Sequence, residues 1–283
     1  MAEEPTFGPI YVAARRVLLD ALALLAPHGK AVVVVGAQAV YLRTGNGDVG
    51  ITIAPYTTDG DLALDPTLLR NEPDLEALMT GAGFSADHPG MWQTTVLVGG
   101  EDVIIPIDLI VLEGASTGEG RRGARIPPHG KRAARRAVGL EAALVDHSTM
   151  IVGALDPADA REVTVEVAGV AALLVAKSHK IRDRIASGRS DRLSDKDAAD
   201  VYRIMQTTRP VTVAQTVRTL VQDPMSADVT VEALDIMRDL FARRAGAGVT
   251  MAQRALQLAV DPDEIATLCV TFTEVLLAPR GDR

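Results

Sequence analysis

The chain has 283 residues, of which 47% are hydrophobic and 23% charged, a balance typical of one large or two modest globular domains and not of a disordered chain. No apolar run approaches the roughly 18 residues that a transmembrane helix needs. Cys269 is the only cysteine and cannot form an internal disulfide, and the first thirty residues lack the features of a secretory signal. We therefore expect a cytoplasmic protein without a membrane segment.

The net charge is −8, but positive charge is concentrated in one stretch. This basic run contains no acidic residue, which is typical of a local phosphate-binding surface on an otherwise acidic protein. The alternative is a solvated loop. Only 3% of the residues are aromatic, so base stacking is not expected to be the main source of affinity for a nucleic acid. The basic run consists of Arg121, Arg122, Arg125, Lys131, Arg132, Arg135 and Arg136.

Residue patterns in the first half of the chain predict helices and strands in alternation. Apolar residues recur at helical spacing from Tyr11 to Pro27, and residues 32–35 are four valines, as in a strand buried on both faces. A short helix is predicted directly after Gly36, over residues 37–43. Further predicted elements are a strand at 59–64, a helix at 66–83, and strands at 92–98 and 103–112.

Beyond two more predicted strands, at 149–152 and 163–167, the apolar period becomes helical. We therefore predict an α+β fold, with a mixed-sheet domain over residues 1–168 and a helical-bundle domain over residues 169–283. Histidine spacing gives no support for a zinc site. The predicted helices of the second half cover residues 169–187, 196–206, 211–222, 231–244, 251–260 and 263–277.

Three aspartates carry the strongest chemical signal. Asp59 and Asp61 lie two apart on a predicted strand, so their carboxylates project from one face and repel each other unless a cation lies between them. Mg²⁺ is a suitable cation, because it commonly binds one or two carboxylates together with substrate phosphates. Asp108 interrupts an apolar strand, where a carboxylate is costly unless it is paired or bound to metal. The alternative for Asp59 and Asp61 is a surface turn.

A second group of residues predicts phosphate binding. Gly36 separates a buried strand from a helix start and is followed by Ala37 and Gln38, so backbone N–H groups there can approach an anion. Lys177 lies beside the apolar face of a predicted helix and Asp197 lies on the next one. Lys177 is interpreted as a contact to a triphosphate that Asp197 orients, the alternative being an ion pair that joins the two helices.

These motifs, in this order, resemble the nucleotidyltransferase fold of the polymerase-beta type. Lys177-Ser178-His179 and Asp197-Ala198-Ala199-Asp200-Val201-Tyr202 are similar to the Lys-Leu-His and Arg-Asp-x-x-Asp-Leu segments of nucleotidyltransferase-like toxins of the AbiEii and MenT type. The resemblance spans roughly residues 10–205. It implies a nucleotidyltransferase-like N-terminal domain. The sequence departs from the family pattern at Ala37-Gln38, where a second Gly or Ser is usual, and at Thr58, where Lys or Arg is usual.

The resemblance implies an enzyme that transfers a nucleotide from an NTP to an RNA acceptor, such as the 3′ end of tRNA, and that pairs with an antitoxin protein. It implies Mg²⁺ held by Asp59, Asp61 and Asp108, with charge on the phosphates offset by Lys177. The basic run would grip the RNA backbone. Three alternatives stay open: a transferase acting on a small molecule such as an aminoglycoside, a catalytically weakened nucleotide-binding or partner-binding module, and a different α/β and helical arrangement.

Overall fold

The computed structural model describes residues 7–45, 56–113, 123–188 and 195–278, and within these ranges the chain is mixed α and β. The strands are β1 (Val32–Val35), β2 (Gly60–Leu64), β3 (Ser85–His88), β4 (Met91–Val98), β5 (Glu101–Leu112), β6 (Arg135–Ala137), β7 (His147–Gly153) and β8 (Glu162–Ala168). The helices are α1 (Pro9–Leu25), α2 (Gly36–Thr44), α3 (Leu75–Gly81), α4 (Val170–Ala186), α5 (Lys196–Thr207), α6 (Pro210–Gln222), α7 (Ala227–Phe241), α8 (Ala247–Leu256) and α9 (Pro262–Leu277).

The strands form one mixed, open sheet in the order β3-β4-β5-β2-β1-β8-β7, and β6 pairs with β5. β1 runs antiparallel to β2 and parallel to β8, whereas β2 runs parallel to β5. The four valines of β1 are all buried, as a central strand covered on both faces requires. The predicted buried strand at 32–35 is therefore confirmed, and β1 and β2 form the centre of the sheet.

Helix α1 packs across the sheet against β2, β4, β5 and β8. Its buried residues include Val17, Leu18 and Leu22, which recur at the spacing of one helical face. The buried apolar residues of the sheet, of α1 and of helices α4 to α9 form one continuous cluster. Among the helices within the described ranges, none is long and apolar enough to cross a membrane.

The change from sheet to helices falls between Ala168, the last residue of β8, and α4. Gly169 precedes α4, and the carboxylate of Asp146 accepts a hydrogen bond of 3.0 Å from the backbone N–H of Ala172. This bond satisfies one of the unpaired donors of the helix start. A Cβ at position 169 would lie 2.0 Å from Oδ1 of Asp146, so the close approach requires glycine. The predicted order of a mixed α/β half followed by a helical half is confirmed.

The predicted helix at 66–83 is wrong over its first half, because only Leu75–Gly81 is helical. The chain first makes a turn at Asp65, whose side chain accepts from the backbone N–H of Thr67 at 2.8 Å. Asp74 then caps α3 by accepting from the backbone N–H of Ala77. Strands β3 and β6 are not predicted by the sequence, and β6 lies inside the basic run, for which a solvated loop is one of the two interpretations.

Candidate active site beside the central strands

The three predicted carboxylates meet beside the central strands. Asp61 stands opposite Asp108 in the parallel pairing of β2 with β5, and opposite Val35 in the antiparallel pairing of β1 with β2. Residues paired in this way on neighbouring strands, roughly 4.8 Å apart, share one face of the sheet. Asp59 lies two residues before Asp61, directly ahead of β2. The structure therefore brings Asp59, Asp61 and Asp108 together, although 49 positions in sequence order separate the first from the last.

The electrostatics of this cluster favour a cation. Burial first, and then the neighbouring charges of Asp59 and Asp108, raise the pKa of the Asp61 carboxyl to about 6 against the opposing effect of Lys180 and Arg135. Among the described residues, no donor forms a hydrogen bond to the Asp61 carboxylate. Negative charge is thus concentrated at Asp61 without a bonded partner, which is the situation that a divalent cation relieves.

Asp108 is bound on one side by Arg135. Nε and Nη2 of Arg135 donate to Oδ2 of Asp108 at 3.1 and 2.6 Å. The other oxygen of Asp108, Oδ1, is buried and has no hydrogen-bond partner. A buried carboxylate oxygen without a donor is costly unless a ligand completes it. Asp108 therefore keeps one oxygen for a cation or for a proton, and Arg135 of the basic run reaches the candidate site.

Magnesium, which the resemblance implies, fits part of this arrangement. Within the ranges that the structure describes, no group of three or more Asp, Glu, His or Cys side chains is arranged to hold a metal ion. At the candidate site, Arg135 occupies one oxygen of Asp108, and the hydroxyl of Thr57 donates to Asp59. Since Mg²⁺ commonly takes only one or two carboxylates plus water and phosphate oxygens, Asp59 and Asp61 are sufficient protein ligands for it.

Gly36 places the start of α2 against Asp61. Its φ of +67° is a left-handed conformation that favours glycine, and a Cβ there would lie 1.9 Å from Oδ2 of Asp61. No side chain caps the N-terminus of α2, so the first backbone N–H groups, including that of Ala37, have no side-chain acceptor. The predicted phosphate-binding turn thus lies beside the predicted carboxylates.

The side chain of Gln38 is buried inside the protein. Its Oε1 accepts a hydrogen bond of 2.9 Å from Nε of Arg15, and its Nε2 donates to the backbone oxygen of Asp59 at 3.4 Å. Gln38 is only 1% exposed, so it holds the chain ahead of Asp61 in place and does not present its amide to solvent. Gln38 was predicted to be part of the nucleotide-binding turn. Its side chain contacts Arg15 and the backbone of Asp59, and so supports the position of the neighbouring acids.

Lys177 has the geometry of the predicted ion pair between two helices. Its Nζ donates to Oδ1 of Asp197 at 2.7 Å and to Oδ2 of Asp200 at 2.6 Å, and its side chain is 4% exposed. Burial lowers the pKa of Lys177, but the charges of Asp200 and Asp197 outweigh it, so the pKa is raised and the ammonium stays charged. Asp197 also pairs with Arg184. Lys177 is therefore enclosed by carboxylates, and its side chain is almost entirely buried.

Sequence reasoning missed three residues beside the carboxylates. Lys180 lies three residues after Lys177 on α4, a spacing that makes the two neighbours on the helix surface, and Lys196 directly precedes Asp197 in the sequence. Tyr56 is one of only four tyrosines, and it precedes Asp59 by three residues. Its ring is 52% exposed, and Nζ of Lys196 lies 5.9 Å from the ring centre.

The described part of the basic run is partly exposed and partly built into the sheet. Arg125, Lys131 and Arg132 are exposed, whereas Arg135 and Arg136 belong to β6 and are partly buried. The remaining two predicted RNA contacts, Arg121 and Arg122, lie outside the described residues. The exposed members of the run are therefore connected through β6 to Asp108.

Two surface grooves lie elsewhere in the described chain. One, of about 600 Å³, is lined by residues of α5 and α9 that include Gln206, Asp263 and Thr267. The other, of about 240 Å³, lies between Asp146 and α6. Neither groove touches Asp59, Asp61 or Asp108. The carboxylate cluster has the stronger claim as a chemical site, since it combines unbonded acidic oxygens with neighbouring cations.

A comparison of the chain with protein-family models, with curated proteins and with solved structures finds no match. The functional argument therefore depends on the site geometry and on the sequence motifs.

Proposed function

We propose that this chain is a Mg²⁺-dependent nucleotidyltransferase that moves a nucleotide from an NTP to an RNA acceptor. The observation that carries the proposal is the convergence of Asp59, Asp61 and Asp108 beside the glycine turn at Gly36. Nucleotidyl transfer depends mainly on positioning and on charge stabilisation. An acidic cluster next to unpaired backbone N–H groups is suited to that task.

The proposed reaction is a single displacement at the α-phosphorus. The acceptor hydroxyl forms the new P–O bond while the bond to the β-phosphate breaks, and pyrophosphate leaves with the bonding electron pair. Asp59 and Asp61 would hold Mg²⁺, which when bound neutralises charge on the triphosphate. Asp108 offers its unbonded Oδ1 as the acceptor for the hydroxyl proton, while Arg135 fixes the other oxygen of the same carboxylate.

The position of Arg135 supports an anionic acceptor. Its guanidinium is bonded to Asp108, and the exposed cations Lys131 and Arg132 precede it in the same run. A cationic small molecule, such as an aminoglycoside, would meet repulsion on this approach, whereas RNA phosphates would be attracted. Pairing with an antitoxin stays a prediction from the resemblance alone.

A labelling experiment tests this proposal. The protein is incubated with each of the four α-³²P-labelled NTPs, Mg²⁺ and total tRNA, alongside the variant Asp61→Asn. We expect label on the RNA with at least one NTP, loss of labelling in EDTA and loss of labelling in the variant. If wild-type protein labels no RNA with any NTP but does label an aminoglycoside, the acceptor assignment is wrong. Labelling of neither acceptor would reject the transferase.

A further inference from the structure

A free ammonium group lies beside the candidate site and has no role in the chemistry described above. Lys196 is the first residue of α5, and within the described chain it forms no ion pair with a carboxylate. Its Nζ lies 5.9 Å from the centre of the Tyr56 ring. Burial lowers the pKa of Lys196, and the charges of Asp200 and Asp59 oppose that shift, which places the ammonium near both acids. Lys196 is thus a partly buried cation next to Asp59 with no bonded acceptor.

Lys180 is a second available cation on the facing helix, α4. Its Nζ is 3.6 Å from Oδ1 of Asp197, beyond hydrogen-bond distance, and its side chain is 42% exposed. Its charge lowers the pKa of Asp61, so it also faces the carboxylate cluster. Lys180 and Lys196 therefore approach the carboxylates of this region from two helices, Lys180 towards Asp61 and Lys196 towards Asp59.

The lysines of α4 and α5 differ in how tightly carboxylates hold them. Asp197 and Asp200 are the two acids of this cluster, and Lys177 binds both of them. Arg184 also binds Asp197. Lys180 and Lys196 lie near the same acids and near Asp61 and Asp59, but within the described chain neither makes a hydrogen bond to a carboxylate. These two lysines, and not Lys177, are therefore the available donors for an anion.

The backbone of Tyr56 is held in place beside Lys196. The hydroxyl of Tyr41 donates to the backbone oxygen of Tyr56 at 2.9 Å and also lies 3.2 Å from Oδ1 of Asp200. The contacts tie the chain ahead of Asp59 to α5, while the Tyr56 ring stays half exposed. An exposed aromatic face next to a phosphate-binding cation is suited to stacking on a nucleobase, whichever base it is.

We propose that Lys196 and Lys180 bind the triphosphate of the NTP and that the ring of Tyr56 stacks on its base. The inference rests on the proposed function and assigns residues to its nucleotide site. Ammonium groups from two helices would hold the phosphates next to the acids that hold Mg²⁺. Lys177 would act one layer deeper by keeping Asp197 and Asp200 in place.

The test is equilibrium binding, measured by isothermal titration calorimetry in Mg²⁺ without an RNA acceptor. The probes are the four NTPs and inorganic tripolyphosphate, which carries the phosphates but no base. The variants are Lys196→Gln, Lys180→Gln, Lys196→Arg and Tyr56→Leu. The matched control is Lys30→Gln, at an exposed lysine that lies before the start of β1. Asp61 pairs with Val35 at the other end of that strand, so Lys30 lies away from the candidate site.

We expect each Lys→Gln change to weaken both NTP and tripolyphosphate about ten- to a hundredfold, as the loss of a charged hydrogen bond does. Lys196→Arg should restore most of the affinity. Tyr56→Leu should weaken NTP binding at least about fivefold, as lost base stacking does, and leave tripolyphosphate binding unchanged. Lys30→Gln should have no effect on either probe.

Two failures are distinguishable. If wild-type protein binds an NTP and both Lys→Gln variants bind it equally well, the lysine assignment is wrong while the proposed function stands. If wild-type protein binds no NTP, both the assignment and the proposed function are wrong. Thermal melting of each variant, followed by circular dichroism, shows whether weakened binding reflects lost contacts or lost folding. Since all the substituted side chains are at least partly exposed, we expect unchanged melting temperatures.

Discussion

At the scale of single residues, the environment of Asp61 explains most of the site. Gly36 leaves room for its carboxylate, and Asp108 stands opposite it on β5. Burial and the neighbouring acids raise its pKa to about 6. An ionised Asp61 therefore destabilises the folded protein when no metal is bound. A ligand that supplies positive charge next to this carboxylate removes the destabilisation.

This environment predicts a pH-dependent effect of Asp61→Asn on stability in EDTA. Because the folded-state pKa is raised, the folded protein binds the proton more tightly, and stability from this group is lost as pH rises from about 4 to about 6. Asn carries no charge at any pH, so the variant does not lose stability in this way as pH rises. The stability of the variant relative to wild type should rise by on the order of 1–3 kcal/mol between pH 4 and pH 7. Urea denaturation at both pH values measures it, and a difference independent of pH would contradict this account.

Arg135 is the residue that connects the acidic site to the basic run. Its contact with Asp108 was not predictable from the sequence, because 27 positions separate the two and their contact depends on β6 pairing with β5. Asp59 and Asp61 were predictable from their spacing of two residues at a predicted strand, and Asp108 was predictable because a carboxylate within an apolar strand is costly. Lys180 and Lys196 were overlooked because charged residues on helices are usually solvated.

At the scale of secondary-structure elements, the pairing of α4 with α5 depends on a buried ion network. Lys177 on α4 binds Asp197 and Asp200 on α5, and all three side chains are at most 4% exposed. Helix α2 joins the network through Tyr41, whose hydroxyl lies 3.2 Å from Asp200. A buried network of this kind is weak evidence for net stability, but removal of one partner leaves the others unpaired at high cost.

Lys177→Met should therefore destabilise the fold by about 3–5 kcal/mol, because two carboxylates lose their shared ammonium. Lys180→Met is the control, since its exposed and longer ion pair is worth only about 0–1 kcal/mol. Urea denaturation followed by circular dichroism measures both variants. Adding Asp197→Asn and Asp200→Asn to Lys177→Met should recover part of the loss. Unchanged stability of Lys177→Met combined with loss of nucleotide transfer would instead favour direct contact with substrate.

The elements themselves differ in how far the sequence predicts them. Helices α5, α6 and α9 begin and end within two residues of the predicted bounds, because their apolar periods are regular and Pro or Asp marks their starts. Helix α3 was overextended because its N-cap, Asp74, was not recognised. Strand β6 was missed because a three-residue strand in a basic run has no alternating pattern, and only its pairing with β5 defines it.

At the scale of the whole molecule, the described structure places acidic and basic surfaces in contact. Asp59 and Asp61 form the acidic site, and the exposed cations Lys131 and Arg132 precede the β6 strand that reaches Asp108. Such an arrangement would let a polyanion bind by its backbone while its end enters the acidic site with Mg²⁺. The overall net charge of −8 disfavours RNA binding outside the basic surface, because the acidic remainder of the protein repels phosphates.

Charge reversal at Lys131 and Arg132 tests this arrangement without disturbing the Arg135–Asp108 pair. The double Glu variant should lower the slope of log RNA affinity against log salt by about 1–2 units, while NTP binding stays unchanged. Filter binding of tRNA at a series of salt concentrations measures the slope. The control is the double variant Arg218→Glu and Arg243→Glu, which makes the same charge change at exposed positions in the helical half. Equal effects of both double variants would show that the basic run has no specific role.

The central claim is that the carboxylates beside β1 and β2 bind a divalent cation, and a Mn²⁺ titration tests it most directly. Mn²⁺ prefers the same oxygen ligands as Mg²⁺, and the loss of its free-ion signal in electron paramagnetic resonance reports binding without any acceptor or turnover. We predict that wild-type protein with an NTP binds Mn²⁺ and that Asp61→Asn, folded to the same extent, binds it far more weakly. Equal Mn²⁺ affinity of wild type and Asp61→Asn would contradict the account.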